Sequence, residues 1–473
     1  DKPPEDRFRF LINNITLKDL REIWIDDHRF EGVIDAHGAF YVWPAQEFEI
    51  REAHFDLVTG RVGLHGTTVA DDLTGTLFAS VRLFPTPEKK GNEVFDFSSG
   101  LVALQGKLGR ADFLNVYLQK LNWIHFETVS GEFQAKVRVF DGVIGGSSEL
   151  KVKVGKSEAR LAGTTIKGSG DLRWYRDDGN YPAILDLQLG KYEFIDPASD
   201  LILMTGGGLG LRVHTREPRL RNMWDQVGVH LELPPTEVHQ LGFFNRFIPG
   251  YSGIEIRGGR ATLKGILNVD SQGPADQSLF LLDAVDVNVG IGKNVLRGNV
   301  RIDARLKDTE EGDKVFDVSG SNISIDKVFS DADSGDWPSA RSAWSGELNI
   351  EEGKLFDGKL SMKLMDLRPL LDVYSVRNRL APWVKSVLRV RDVRAESQLK
   401  IGKNKTELRD FDVQSQGVDL KGWYKTGKGV KDGAVLVDLG IMNVGLDVSS
   451  SGTKVILLEV KDWFSKRERP QEN

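Results

Sequence analysis

Residues that could perform chemistry are few in this sequence, and they are scattered. Asp26-Asp27-His28 is the nearest approach to an acid–base or metal group, but a polar turn before a strand accounts for the same residues. His37 and His65 lie in strand-like sequence and could approach each other to bind zinc. The chain has no His-Glu-x-x-His pair and no Cys, so thiolate ligands and thiol nucleophiles are excluded. We predict no metal site and no catalytic residue.

Two segments resemble ligand-binding loops without completing the motif. Residues 205–211 are rich in Gly but lack the Lys-Ser/Thr pair of a phosphate-binding loop, so a strand corner is predicted. Residues 331–336 alternate Asp with small residues like the opening of a calcium loop, but the closing Glu is absent and a solvated loop is predicted. No Gly-x-Ser-x-Gly motif occurs. We therefore predict a protein that is not an enzyme and carries no cofactor.

Composition and charge restrict the classes of partner. The chain has 473 residues, of which 40% are hydrophobic and 28% charged, as in a folded protein with two or more domains. Its formal net charge is −6, so the chain lacks the excess of basic residues that is typical of a nucleic-acid-binding protein. No stretch approaches the roughly 20 apolar residues that span a bilayer. Because the chain begins at Asp1, we expect that a signal or anchor segment was removed.

Apolar and polar residues alternate with a period of two along most of the sequence. Successive side chains of a strand point to opposite faces, so this pattern predicts antiparallel strands with one dry and one wet face. Three stretches show it most clearly, around positions 133–139, 261–269 and 300–306. The apolar residues that we predict to line a groove are Phe133, Ala135, Val137, Val139, Leu263, Leu267, Val300, Ile302 and Leu306.

Glycines recur at intervals that fit hairpin corners between these strands. Examples are Gly60, Gly75, Gly100, Gly131, Asp141-Gly142, Gly190, Gly258-Gly259, Gly320 and Asp357-Gly358. Apolar residues at helical spacing predict amphipathic helices over 111–121, 235–247 and 366–388, and each is followed by similar strand-rich sequence. The chain therefore divides into repeats over 1–110, 111–234, 235–365 and 366–460, with a C-terminal tail over 461–473.

Two segments share a sequence pattern with a known family. They are residues 122–133, Asn-Trp-Ile-His-Phe-Glu-Thr-Val-Ser-Gly-Glu-Phe, and residues 246–265, which open with Arg-Phe-Ile-Pro-Gly. Together with the helix-then-strands order, these segments resemble the AsmA-like superfamily, which includes TamB-type and YhdP-type proteins of the bacterial envelope. The resemblance extends over roughly residues 8–460 in its alternation of apolar and polar residues and its spacing of glycines, and it includes no catalytic motif. It implies a long β-groove in the periplasm, tethered to the inner membrane, that carries phospholipid between membranes or assists outer-membrane assembly. The N-terminal membrane helix that the family carries is missing from this sequence.

These observations give one preferred interpretation and two alternatives. We expect a mainly β protein whose elongated antiparallel meander repeats form a curled, taco-like groove with a few short amphipathic helices. The groove would bind acyl chains and bridge or transfer phospholipid, with proteins of the inner or outer membrane as further partners and no nucleic acid. One alternative is a structural scaffold or assembly factor of an envelope or secretion complex. The other is a carbohydrate-active enzyme on a β-solenoid, since 69 acidic residues offer many chance carboxylate pairs.

Overall fold

The computed structural model of the chain is dominated by antiparallel strands, which confirms the prediction of a mainly β meander. The residues that it describes are 8–25, 28–44, 46–64, 67–85, 91–110, 115, 124–161, 163–176, 183–215, 219, 227–247, 254–270, 273–274, 278–291, 294–308, 315–330, 333–337, 340–349, 354–366, 390–402, 405–427 and 430–467. Two compact units divide the chain, unit 1 over 1–232 and unit 2 over 233–473. The division into four repeats stays a prediction.

Unit 1 is a meander of long strands. They are β1 (Phe10–Ile25), β2 (His28–Trp43), β3 (Glu47–Leu64), β4 (Thr67–Pro85), β5 (Ser98–Leu108), β6 (Ile124–Phe140), β7 (Val143–Ile144), β8 (Glu149–Leu161), β9 (Thr164–Tyr175), β10 (Ala183–Ile195), β11 (Ile202–Gly206), β12 (Leu209–Thr215) and β13 (Val227–Val238), which contains the boundary with unit 2. Neighbours pair antiparallel in the order β1-β2-β3-β4-β5-β6-β8-β9-β10-β12-β13.

Unit 2 repeats this arrangement. Its further strands are β14 (Ile254–Asp270), β15 (Gly273–Pro274), β16 (Ser278–Ile291), β17 (Asn294–Asp308), β18 (Val315–Asp317), β19 (Ser321–Ser330), β20 (Asp333–Trp337), β21 (Ala340–Asn349), β22 (Lys354–Asp366), β23 (Arg391–Gly402), β24 (Lys405–Gln414), β25 (Asp419–Gly427), β26 (Val430–Asp438), β27 (Asn443–Ser449) and β28 (Gly452–Ile456). The main order is β14-β16-β17-β19-β21-β22, continued in sequence to β28.

Helical segments are short in the described ranges. They are the 3₁₀ helices Gly91–Phe97 and Leu241–Phe247 and the α-helix α1 (Val460–Lys466), which packs on β26 and β27. The predicted helix over 235–247 is wrong in its first part, because β13 continues to Val238 and buries the β-branched Thr236 and Val238. The predicted helices over 111–121 and 366–388 lie almost wholly outside the described residues. No described helix has the length and apolar character needed to cross a membrane.

Aspartates in the left-handed region interrupt the long strands at irregular points of the pairing. Asp19, Asp72, Asp286 and Asp410 have φ between 46° and 54°, and each coincides with a shift in register. Asp adopts this conformation more readily than most residues, so it is suited to a β-bulge. A large apolar residue follows each one: Leu20, Leu73, Val287 and Phe411. Because bulges bend and twist a strand, this device recurs as a source of curvature in both units.

Many of the predicted corner glycines lie inside strands, so their interpretation as corners is wrong. Asp141-Gly142 does form the turn between β6 and β7, but Gly60, Gly75 and Gly358 lie within β3, β4 and β22. Gly75 has a φ of 143°, and a Cβ there would lie 2.1 Å from the carbonyl oxygen of Ala103 on β5. Such glycines permit a close approach of two backbones instead of ending a strand.

Replacing Gly75 by Ala should therefore lower the free energy of unfolding by about 3 kcal/mol, because left-handed strain adds to a backbone clash. Gly417 provides the matched control: its φ is 93°, but a Cβ there meets nothing within 4 Å. Gly417→Ala should cost only about 1 kcal/mol, from backbone conformation alone. Urea unfolding of both variants measures the difference, and equal losses would contradict the close-approach explanation.

Candidate functional site

Strand β6 places the four predicted groove residues of unit 1 on a single face. All four are half-buried, whereas the three residues between them are exposed. The half-buried residues are Phe133, Ala135, Val137 and Val139. Their cross-strand partners are also apolar or Gly: Ala135 pairs with Leu104 on β5 and Leu150 on β8, and Val137 pairs with Val102. The four residues therefore belong to an apolar face that extends across neighbouring strands.

Register pairing extends this face into a continuous row across unit 1. Each member is the cross-strand partner of the next, and every member is apolar or Gly. The row runs through Leu20, Ile34, Leu57, Gly75, Leu104, Ala135, Leu150, Trp174, Leu185, Val213 and Val229. Cross-strand partners share a face of the sheet, so these eleven strands present one uninterrupted apolar row.

The five predicted residues of unit 2 lie on β14 and β17, and all are half-buried. Leu263 and Ile302 are joined through Leu282 of β16, which pairs with both. Leu267 lies further along β14, and Val300 pairs with Ala284. Leu306 differs from the others because it packs against a buried cluster of the same unit. That cluster consists of Val318, Phe356, Leu360 and Leu399.

Unit 2 has its own apolar row of eleven cross-strand partners. It runs through Leu263, Leu282, Ile302, Ile323, Ser342, Met362, Ala395, Val413, Leu420, Val437 and Val444. Ser342 is the one polar member, and its hydroxyl donates a hydrogen bond to the carbonyl oxygen of Ile323 at 3.4 Å. Each unit thus has a row of cross-strand partners that is almost entirely apolar.

Burial varies along each row. In unit 1 Ile34 is 3% exposed, the members on β3 to β8 are half-buried, and those from Trp174 to Val229 are buried. In unit 2 the members from Leu263 to Met362 are half-buried, and Val444 at the far end is 3% exposed. Each unit therefore combines a closed core with a stretch of apolar face that remains partly accessible.

The opposite face of unit 1 carries ion pairs, both within strands and between them. Lys151 contacts Glu149 at 2.7 Å, Arg173 hydrogen-bonds the same carboxylate, and Arg212 contacts Asp186 at 3.1 Å. Hydrogen bonds from Lys151 and then Arg173 lower the pKa of Glu149 despite its partial burial. This face also carries an open depression of about 700 Å³. Its charged lining is mixed in sign: Asp72, Lys107, Glu132, Lys151, Lys153, Asp171 and Arg173.

A buried carboxylate lies on the corresponding polar face of unit 2. Glu407 of β24 is 2% exposed, and its neighbour Leu408 packs on the apolar cluster of the other face. Lys405 contacts its carboxylate, Arg409 donates to it at 2.8 Å, and Lys425 lies 3.7 Å away. Burial alone would raise the pKa of Glu407, but the hydrogen bonds and charges of Lys405 and Arg409 lower it to about 2. Because Lys425 lies on β25 and the other three residues lie on β24, this network is suited to holding two strands together.

The structure groups the histidines differently from the sequence prediction. His37 pairs across strands with His54, their ring centroids are 4.6 Å apart, and His65 lies outside the described residues. His54 Nε2 lies 3.0 Å from Asp56 Oδ1. No group of three or more His, Asp or Glu residues with the geometry to hold a metal occurs in the described part of the chain. Residues 205–211 form the predicted strand corner between β11 and β12. Residues 333–336, which were predicted to belong to a solvated loop, lie in strand β20 instead.

Sequence reasoning missed most members of the two rows and the buried Glu407. The same alternation occurs in β5, β8 and β19, and it would have found Leu104, Leu150 and Ile323, whereas residues 279–282 of β16 are continuously apolar and do not single out Leu282. Nothing in the sequence signals the burial of Glu407, which depends on the register of β23, β24 and β25.

Comparisons of the chain with family models, with curated proteins and with solved structures find no match. The class that the structure defines is therefore architectural: a mainly β, repeat-like antiparallel meander in two units, each with one apolar and one ion-paired face.

Proposed function

We propose that this protein binds acyl chains along its two apolar rows and thereby bridges or transfers phospholipid between membranes of a bacterial envelope. A periplasmic location and membership of the AsmA-like superfamily are parts of the same proposal. The observation that carries it is the half-buried stretch of each row, because an accessible apolar strip is costly in water unless a ligand or partner covers it.

Acyl chains suit this strip for a physical reason. Its side chains offer apolar area without hydrogen-bond donors or acceptors, apart from Ser342, and burial of such area contributes about 25 cal/mol per Å². A lipid could place its chains on the row and keep its headgroup in solvent. The mixed charges of the opposite face favour neither a polyanionic nor a polycationic ligand.

The purified chain should carry lipid. Native mass spectrometry followed by organic extraction should find phospholipid or fatty acid at more than one molecule per chain, since two separate rows are available. A fluorescent fatty acid titrated into delipidated protein should saturate in the same range. A lipid-free mass together with no uptake of the fatty acid would overturn the proposal.

An edge strand supports the second candidate, a scaffold that pairs with strands of a client protein. Among the described residues β1 pairs only with β2, so its other edge is open over 16 residues. Phe10, Leu11 and Trp24 on this strand are more than half exposed. A long exposed apolar edge is a template for an added strand. If this candidate is right, the native chain should capture a β-strand client and the Leu11→Pro variant should not. No capture by the native chain, or equal capture by both, would contradict it.

A further inference from the structure

Four large apolar side chains project from one end of the sheet of unit 2. They are Ile441 and Met442, in the turn between β26 and β27, and Leu457 and Leu458, which follow β28; we call them the rim patch. Ile441 is 94% exposed and Leu458 is 83% exposed. Gly445 pairs with Ile456, so the chain leaves β28 at the end of the sheet where the Ile441 turn lies. The two segments therefore lie at the same end of the sheet.

The shape of the rim patch suits a fluid apolar phase better than a shaped protein groove. The Ile441 turn is fixed internally: the amide of Leu439 donates to the carbonyl of Met442 at 3.0 Å, and the amide of Gly440 donates to Asp438 Oδ1 at 2.8 Å. A φ of 75° at Gly440 completes the turn. Ile441 is thus held outward at the tip of a fixed turn. Its insertion into an apolar layer would therefore cost little conformational entropy of the loop.

The rim patch adjoins the apolar row of unit 2. Val437 and Val444, the last two members of that row, pair with each other one residue away from the turn on either side. Leu439 of the turn packs against the same buried cluster as these two residues. The rim patch therefore adjoins the buried end of this row, whose half-buried stretch, from Leu263 to Met362, we propose to hold acyl chains.

Exposed lysines lie on the two elements that flank Leu457 and Leu458 of the rim patch. Lys454, Lys461 and Lys466 are exposed on β28 and α1 and have no ion-pair partner among the residues that the structure describes. Glu459 and Asp462 lie on the same segment and Asp438 lies beside the Ile441 turn, so three carboxylates balance the three lysines. Lysines beside exposed apolar residues favour contact with anionic headgroups.

We propose that the rim patch inserts into the surface of a phospholipid membrane, with Ile441 and Leu458 as the inserting side chains. The proposal rests on the proposed function for its purpose, which is to pass lipid between the membrane and the apolar row. The membrane contact itself depends on the rim patch alone, so the two can be tested apart.

Sedimentation with phosphatidylcholine vesicles, with and without phosphatidylglycerol, measures the contact. The double variant Ile441→Ser, Leu458→Ser should partition onto vesicles about 100-fold more weakly than the native chain, because two large apolar side chains no longer leave water. Val430→Ser is the matched control, since Val430 is 51% exposed at the other end of β26. It should partition like the native chain. All three proteins should melt at the same temperature, because the altered side chains are exposed.

A fluorescent fatty acid, titrated without vesicles, separates this inference from the proposed function. Weak vesicle binding with normal fatty-acid uptake in the double variant supports membrane insertion. Equal sedimentation of the native chain and the double variant, or no sedimentation of either, overturns it. A dimer that dissociates in the double variant, seen by analytical ultracentrifugation without any vesicle binding, would assign the rim patch to a second copy of the chain and also overturn it. Vesicle binding without fatty-acid uptake by the native chain would contradict the proposed function and leave insertion standing.

Discussion

Glu407→Gln should lower the free energy of unfolding by about 3 kcal/mol at neutral pH, because it removes the charge that Lys405, Arg409 and Lys425 surround. Gln keeps the shape of the side chain, so the loss reports on charge and not on a cavity. The largest effect should fall on Arg409, whose side chain is only 18% exposed and would lose its ion pair with Glu407.

The dependence on pH follows from the lowered pKa. The pKa of Glu407 falls from 4.5 to about 2 in the folded chain, so the carboxylate binds its proton more weakly when folded than when unfolded. Its contribution of about 3 kcal/mol is complete above the unfolded pKa and disappears as the pH falls from 4.5 to about 2. The native chain and Glu407→Gln should therefore differ in stability at pH 7 and converge near pH 2.

Urea unfolding at several pH values measures this convergence. Glu396→Gln is the control, because Glu396 pairs with Lys359 at 2.8 Å on exposed side chains and should matter by about 0.5 kcal/mol or less. A difference between the native chain and Glu407→Gln that stays constant with pH would show that packing, and not charge, causes the loss.

The strands and their faces were predictable from the sequence because alternation is a local property. Val137 and Ile302 lie on the apolar faces that period-two patterning assigns to them. The length of the strands was not predictable in the same way. Gly75 and Asp286 look like turn residues locally, yet in the structure a strand continues through each, because neighbouring strands supply the backbone partners on both sides.

The burial of a side chain was harder to predict than the face of the sheet on which it lies, because burial depends on what covers that face. Val444 and Leu263 belong to the same row and have equivalent sequence patterns, but only Val444 is buried. The polar face shows the same effect at Glu407, where alternation predicts a wet side chain, yet the side chain is buried between neighbouring strands and β25 adds Lys425 to the cations of its own strand. Tertiary neighbours, which no single strand encodes, decide both cases.

This difference in burial gives the sharpest test of the acyl-chain row. Ile302→Asp should reduce fatty-acid binding by at least about tenfold, because a carboxylate in the strip removes apolar contact and must lose water when a chain covers it. The melting temperature should change little, since Ile302 is only half-buried and its new charge can remain hydrated. Val137→Asp should act in the same way on unit 1.

Two controls distinguish an open strip from a closed core. Val444→Asp alters the buried end of the same row, so it should unfold the chain or lower its melting temperature strongly. Arg301→Ala alters the neighbouring residue on the exposed polar face and should leave both binding and melting unchanged. If Ile302→Asp unfolds the chain as Val444→Asp does, the row is a core throughout and cannot bind lipid. If Ile302→Asp stays folded and binds fatty acid normally, acyl chains lie elsewhere. Only a folded variant with weakened binding makes the half-buried part of the row the place where acyl chains bind.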